Sequence, residues 1–169
     1  MKSARGAATT IIRKATPSDV GSILQLIRDL AAYEREPDAV LATEAMLHAT
    51  LFGPTPNAEA IVAELDGQTV GMALFFTNYS TWSGRTGIYL EDLYVMPDAR
   101  GHGLGKALLA RLARLAVSRG CARVEWSVLD WNKTAAGFYK SLGAVAMTDW
   151  TVFRLDGDAL ARLGAAPGA

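Results

Sequence analysis

The stretch LYVMPDARGHGLGKALL, residues 93–109, places three glycines within five positions where an apolar, strand-like run hands over to a leucine-rich one. Glycine at such a junction either punctuates a turn or lets something large approach the backbone. A Walker phosphate loop needs glycine five residues before its Gly-Lys pair and a hydroxyl residue after it. Arg100 and Ala107 stand at those two positions. A dinucleotide fingerprint fails as well, because Lys106 takes the place of its third glycine. A plain turn leaves two features unexplained: the alternation of positions without side chains, and the flanking cations Arg100 and Lys106. Lysine in the first turn of a helix faces the positive end of the helix dipole unless an anion lies nearby. Exposed amides, a helix N-terminus and two cations together read as a cradle for a diphosphate.

Outward from this junction, periodicity predicts the other elements. TIIRKAT (residues 10–16) reads as a first strand. PSDVGSILQLIRDLAAYERE carries Val20, Ile23, Leu24, Ile27 and Leu30 on one helical stripe, with Ser18 or Asp19 as cap. A shorter helix covers residues 43–51 and ends at GPTP. Two apolar runs around Asp66-Gly67 signal a hairpin, and GIYLEDLYVMP is a long strand stopped by Pro97. Leu104, Leu108, Leu112, Leu115 and Ala116 then recur at helical spacing, with Arg111, Arg114 and Arg119 off that face. ARVEWSVLD is a further strand, NKTAAGFYKSLG a helix capped near Asn132 and ended by Gly143, and WTVFRLD a last strand. The order β-α-α-β-β-β-α-β-α-β implies an α/β fold, a mixed sheet with helices on both faces. With no linker visible, residues 1–169 read as one domain, its core at about residues 10–155 and loose tails at residues 1–8 and 164–169.

The 169 residues are half apolar and one-fifth charged, ordinary for a globular domain. Seventeen basic residues balance seventeen acidic ones, so no global field recruits nucleic acid or an anionic membrane. Apolar runs such as MALFF are too short to span a bilayer, and the N-terminus lacks the apolar stretch of a secretory signal. A single cysteine, Cys121, excludes an intramolecular disulfide and implies a reducing, cytoplasmic compartment. It has no motif around it and reads as a small apolar residue rather than a nucleophile. His48 and His102, far apart and without cysteine partners, predict no metal site. Trp82, Trp126, Trp131 and Trp150 read as core or interface residues.

VMPDARGHGLGKALL resembles the acetyl-CoA pyrophosphate motif of the GCN5-related N-acetyltransferases, [Q/R]-x-x-G-x-G/A, which falls here on residues 100–105. TPSDVGSILQLIRDLAAYERE, YLEDLYVMPDARGHGLG, DWNKTAAGFYKSLGA and WTVF follow in the order of the diamine (spermidine/spermine) and thialysine acetyltransferase subgroup. The resemblance spans about residues 10–155. It implies a mostly antiparallel central sheet of six to seven strands, acetyl-CoA as co-substrate without a metal, a small amine as acceptor, and a homodimer in which WTVFRL takes part. Two other readings stay open within this fold: a protein or peptide acceptor, and an acyl-CoA sensor without turnover.

Acetyl transfer to an amine sets three demands. The amine must lose a proton, since an alkylamine titrates near about 10.4. The tetrahedral oxyanion needs a donor, and the departing thiolate an acid. In a regular strand Glu91 and Asp92 point to opposite faces, so only one would meet the substrate. The resemblance selects Glu91 as amine contact and base, acting through water, and leaves Asp92 in support. It assigns the oxyanion donor and the pantetheine contacts to a strand bulge at Leu93, Tyr94 and Val95. The cofactor's diphosphate falls to Arg100, Gly101, His102, Gly103, Leu104, Gly105 and Lys106, with the backbone of His102 rather than its ring contributing. Asn132 and Tyr139, seven residues apart, share a helix face whose intervening Ala135 and Ala136 leave a groove. The resemblance places the cofactor arm against Asn132, Lys133, Thr134 and Ala135, and makes Tyr139 the acid. Tyr33 and Glu34 become substrate contacts, with Glu36, Asp38 and Glu44 adding acidic charge nearby. Glu125, Trp126 and Ser127 align with substrate-side positions but differ in type from the diamine enzymes. The segment between Gly143 and Trp150 is shorter than theirs, leaving Asp149 as its nearest acidic candidate.

Overall fold

Asp66 and Gly67, at φ 50° and 82°, turn the chain between β2 (Glu59–Leu65) and β3 (Gln68–Ser80). The two strands pair antiparallel, as the Asp-Gly signal predicts. On either side lie β1 (Thr10–Lys14) and β4 (Arg85–Val95), also antiparallel. The two-residue β5 (Val124–Glu125) runs parallel to β4 and completes the sheet order β1-β2-β3-β4-β5. The computed structural model describes residues 8–165; the expected tails at residues 1–7 and 166–169 lie outside the described residues. The chain forms two compact units, Met1–Ser127 and Val128–Ala169.

In the first unit, alternation assigns each strand residue to one of two cores. Ala60, Val62, Met72, Leu74 and Tyr94 are buried with Val20, Ile23, Leu24 and Leu26 of α1 (Val20–Tyr33) and Leu47 and Leu51 of α2 (Glu44–Phe52). Ile61 and Phe75, of opposite parity, face α3 (Leu104–Ser118), whose Leu104, Leu108, Leu112 and Ala116 are buried at the predicted spacing. Thr43 caps α2 through its side chain, which accepts from the Met46 amide. No described helix is long and apolar enough to cross a membrane.

The second unit contains α4 (Lys133–Ser141), N-capped by Asn132, and α5 (Gly157–Gly164), in which no residue is fully buried.

Three expectations about strands need correction. Among the described residues the sheet has five strands, not six to seven. The predicted strand at residues 122–130 shrinks to β5, because its ladder to β4 covers only Ile88 and Tyr89 before a bulge in β4 disrupts the pairing edge. WTVFRLD forms no strand. Residues 151–156 are irregular, with Val152 81% and Phe153 92% exposed. An apolar run becomes a strand only where another strand answers its backbone groups, and among the described residues none pairs with it. At the C-terminus, Gly164 belongs to α5 rather than to a loose tail.

Candidate active site

β4 is irregular where its two acidic residues lie. Leu74 of β3 pairs with Asp92 and Phe75 with Leu90, so Glu91 is the extra residue of a β-bulge. Had β4 been regular, Tyr89 and Glu91 would share a face and Asp92 would point away. The inserted residue shifts the phase. Asp92 and Tyr94 join Tyr89 on the face of Met72, Leu74 and Phe76, against which α1 packs. The bulge expected at residues 93–95 therefore lies at Glu91, and it removes the reason for choosing one acid over the other.

The two carboxylates differ in surroundings. Glu91 is exposed. Asp92 is largely buried, which lifts its proton affinity to about 6, with further push from the negative charges of Glu91 and Glu34. Glu34, at the C-terminal cap of α1, is also pushed up by burial. Of the predicted site residues, Glu34 and Glu91 thus both lie close enough to Asp92 for their charges to act on it. Such a group favours a cation in its midst.

Past the bulge, Met96 donates from its backbone N to the Val70 carbonyl on β3. Alternation turns the backbone groups of Leu93 and Val95 toward the opposite edge, beyond the last β5 pair. The carbonyl of Val95 there accepts a 2.9 Å bond from Arg100 Nε. The Arg100 guanidinium also lies 5.4 Å from the Tyr33 ring centroid and 5.7 Å from that of Tyr94. Arg100, expected among the cradle's cations, is instead tied back to the strand and to α1.

A single 3-10 turn at Pro97–Ala99 leads into the glycine segment. Gly101 and Gly103 sit at φ 84° and 73°, in the left-handed region, and an added Cβ would meet nothing within 4 Å at either. Gly103 is the N-cap of α3 and supplies no side-chain acceptor. The first intrahelical bond runs from Ala107 N to Gly103 O, at 2.9 Å. By helix geometry the amides of Leu104, Gly105 and Lys106 precede it and point out of the helix end. His102 directs ring Nδ1 back to the carbonyls of Ala99 and Arg100, each 3.2 Å away. The nook is lined by backbone and open in front, as a diphosphate requires.

Beyond Tyr89, the same sheet face carries a polar cluster. Glu125 Oε2 accepts a 2.9 Å bond from Asn78 Nδ2 and forms an ion pair with Arg123 Nε at 2.6 Å. Tyr89 and Ser127 join hydroxyls at 2.8 Å, and Tyr89 stacks at 5.2 Å on Phe76. Trp126, predicted beside them, is half-buried. Sequence reasoning named Glu125 and Ser127 but missed Asn78, Tyr89 and Arg123. Gly87 in mid-strand was the available signal: a Cβ there would come within 2.5 Å of Asn78 Oδ1.

In the second unit, Asn132 Oδ1 accepts from the Ala135 amide at 3.1 Å. Tyr139 follows two turns later on the same helix face, with Ala135 and Ala136 half-buried between them. The Tyr139 ring lies 5.4 Å from that of Phe138. Lys133 and Thr134 are exposed in the first turn. Gly143, at φ 90°, ends the helix as its sequence predicts.

The chain is 43% identical over 167 residues to a thialysine N-epsilon-acetyltransferase of Bos taurus, covering 92% of this chain and 98% of that one. It is 34% identical to an L-ornithine N5-acetyltransferase of Arabidopsis thaliana, over 88% and 85% of the two chains. Among solved structures, an integron cassette protein from V. cholerae superimposes with TM-score 0.79 at 26% identity, covering 95% of this chain and all of that one. The acetyltransferase (GNAT) family matches residues 23–144. With that match over most of its length, and with relatives that are N-acetyltransferases, this chain belongs to the acetyltransferase (GNAT) family and is an N-acetyltransferase.

Proposed function

We propose that the chain transfers acetyl from acetyl-CoA to the terminal primary amine of a small cationic acceptor, a diamine or a thialysine-like amino acid, by direct attack in a ternary complex. The placing of Glu34 and Glu91 around the largely buried Asp92 carries this reading, because negative charge gathered on one carboxylate makes a site for an ammonium group. The relatives named for thialysine and ornithine support it.

Acetyl-CoA supplies the activated thioester. The open, positive-φ backbone at Gly101 and Gly103 and the amides of Leu104, Gly105 and Lys106 fit its diphosphate. Lys106 adds a cation at that helix end. Glu91, exposed on the bulge, meets the incoming ammonium and accepts its proton through water, while Asp92 holds negative charge behind it. The amides of Leu93 and Val95, on the edge that β5 leaves unpaired, are the oxyanion donors. Asn132, Lys133, Thr134 and Ala135 flank the pantetheine arm, and the Tyr139 hydroxyl donates a proton to the departing thiolate. Tyr33 and Glu34 close on the acceptor. A homodimer in a reducing, cytoplasmic compartment completes the proposal.

A panel of diamines, thialysine, lysine and peptides, followed by thiol release from acetyl-CoA, tests it. Turnover is expected for the small amines, and silence across the panel would defeat the proposal. Tyr139→Phe should lower kcat by roughly a hundredfold, while calorimetry finds coenzyme A affinity within about twofold of wild type.

A further inference from the structure

The polar cluster on the face shared by β3, β4 and β5 has a composition that a plain diamine does not require. Glu125 Oε2 accepts from the Asn78 amide and pairs with the charge of Arg123 at Nε. That leaves Oε1 of the carboxylate and the NH1/NH2 fork of the paired guanidinium without a further partner among the described residues. Both side chains are about two-fifths exposed, 38% for Glu125 and 41% for Arg123. One acceptor and one forked donor, adjacent and within reach of solvent, complement an ammonium and a carboxylate on neighbouring atoms. The Tyr89 and Ser127 hydroxyls, bonded to each other beside them, add further donors.

The cluster is built into the sheet. Asn78 lies opposite Gly87 in the β3–β4 register, and it reaches Glu125 across that glycine, where any Cβ would collide with Asn78 Oδ1 at 2.5 Å. Asn78 Oδ1 is buried without a hydrogen-bond partner. Buried acceptors are rarely left so; here the amide is turned to present Nδ2 to Glu125.

Spacing ties the cluster to the acid pair. Asp92 is opposite Leu74, and Tyr89 is opposite Phe76. Tyr89 therefore lies two residues of β3 from the acid pair, about 7 Å at strand rise, and Glu125, its partner on β5, one strand spacing of about 5 Å further across. Five bonds from the terminal nitrogen of lysine or thialysine to its α-carbon span about 6 Å at ordinary bond lengths.

We propose that the Arg123–Glu125 pair, braced by Asn78 beside the Tyr89–Ser127 hydroxyls, reads the α-ammonium and α-carboxylate of an amino-acid acceptor whose side-chain amine meets Glu91 and Asp92. This rests on the acetyl-transfer reading above and narrows it: the acceptor is an α,ω-diamino acid rather than a diamine. Arg123 and Glu125 are specificity determinants and take no part in the proton transfers.

Steady-state kinetics of the full chain with saturating acetyl-CoA tests the assignment on four acceptors. They are thialysine, lysine, 1,5-diaminopentane, which lacks the carboxylate, and 6-aminohexanoate, which lacks the α-ammonium. The wild type should prefer the two amino acids in kcat/KM by at least about tenfold, the scale of one charge-assisted contact. Arg123→Gln should raise KM for thialysine roughly ten- to hundredfold, leave kcat nearly unchanged, and leave 1,5-diaminopentane unaffected. Glu125→Gln should weaken the amino acids while sparing 6-aminohexanoate. Ser127→Ala, which disturbs the sheet least, should give a smaller loss of the same pattern. Thermal melts matching wild type exclude a folding defect. Turnover without preference, or an Arg123→Gln effect equal on thialysine and 1,5-diaminopentane, overturns the head-group assignment while acetyl transfer stands. Silence on all four acceptors and on the wider amine panel overturns both.

Discussion

Burial raises the cost of charge on Asp92, and the cost depends on pH. Unfolded, the carboxyl titrates near 3.8; folded, at about 6, through desolvation first and then the charges of Glu91 and Glu34. The folded state binds the proton more tightly in that window, so stability falls as pH rises from about 4 to 6 and the loss is complete above it. Asp92→Asn keeps the shape and removes the charge. It should stabilise the protein at pH 7.5 by about 1–3 kcal/mol and change little at pH 4, read as the difference in urea midpoints. A variant no more stable at pH 7.5 than at pH 4, relative to wild type, would contradict the burial argument. Gly103 makes the opposite kind of prediction. Space around it is open, so Gly103→Ala meets no clash and pays only for the left-handed φ of 73°, about 1 kcal/mol. The same backbone strain moves the outward-pointing amides of the α3 N-terminus. Coenzyme A affinity by calorimetry should therefore fall more steeply than stability.

At the scale of elements, a clamp at the start of α1 shows which parts of the fold were legible. Arg13 on β1 bonds both oxygens of Asp19 at 2.7 and 2.8 Å and also bonds Glu64 on β2. Asp19 accepts from the Thr16 amide and hydroxyl as well. The arginine holds Asp19 down at about 2. That stabilisation is present above the unfolded value of 3.8 and is lost as pH falls toward 2. Arg13→Met strands the buried Asp19 carboxylate and the largely enclosed Glu64, and should cost about 2–4 kcal/mol at pH 7 in urea unfolding, with the difference closing near pH 2. The sequence announced this helix start, since Asp19 was an expected cap, but not its arginine, whose partner Glu64 is distant in the chain. The same division holds elsewhere. The α3 stripe and the Asp66-Gly67 hairpin are local patterns and form as read, with Leu109 buried in addition and Leu115 only half so. The bulge at Glu91 depends on the register with β3, and no count along β4 alone reveals it. Pairing of Arg100 with Tyr33 and Tyr94 likewise needs the tertiary fold. α5 was missed because Asp156 and Gly157 read as the end of a strand, whereas Asp156 is the helix N-cap.

For the whole molecule, burial is distributed unevenly between the two units. Among the described residues, every fully buried apolar residue lies between Ala15 and Ala116, in the first unit. Among the described residues of the second unit, α4 and α5 bury none, and Val145, Met147, Trp150, Val152 and Phe153 are each more than 60% exposed. Apolar burial is the main term opposing chain entropy, so the free energy of local opening must follow this division. The central strands β2, β3 and β4 open only with global unfolding, since Val62, Met72, Ala73 and Ile88 are completely enclosed. Helices α4 and α5, of nine and eight residues, bury no residue, and helices so short gain little stability without burial. Hydrogen exchange read by mass spectrometry should therefore find amides of β2–β4 protected to the global limit, and those of α4 and α5 exchanging at least about a hundredfold faster. Coenzyme A should slow exchange at the α3 N-terminus, where the outward-pointing amides lie, through mass action on the folded state. If Asn132 and Tyr139 also serve the cofactor, protection of α4 rises in the same titration and with the same midpoint. Equal protection of α4 before and after saturation would remove Asn132 and Tyr139 from the cofactor's contacts.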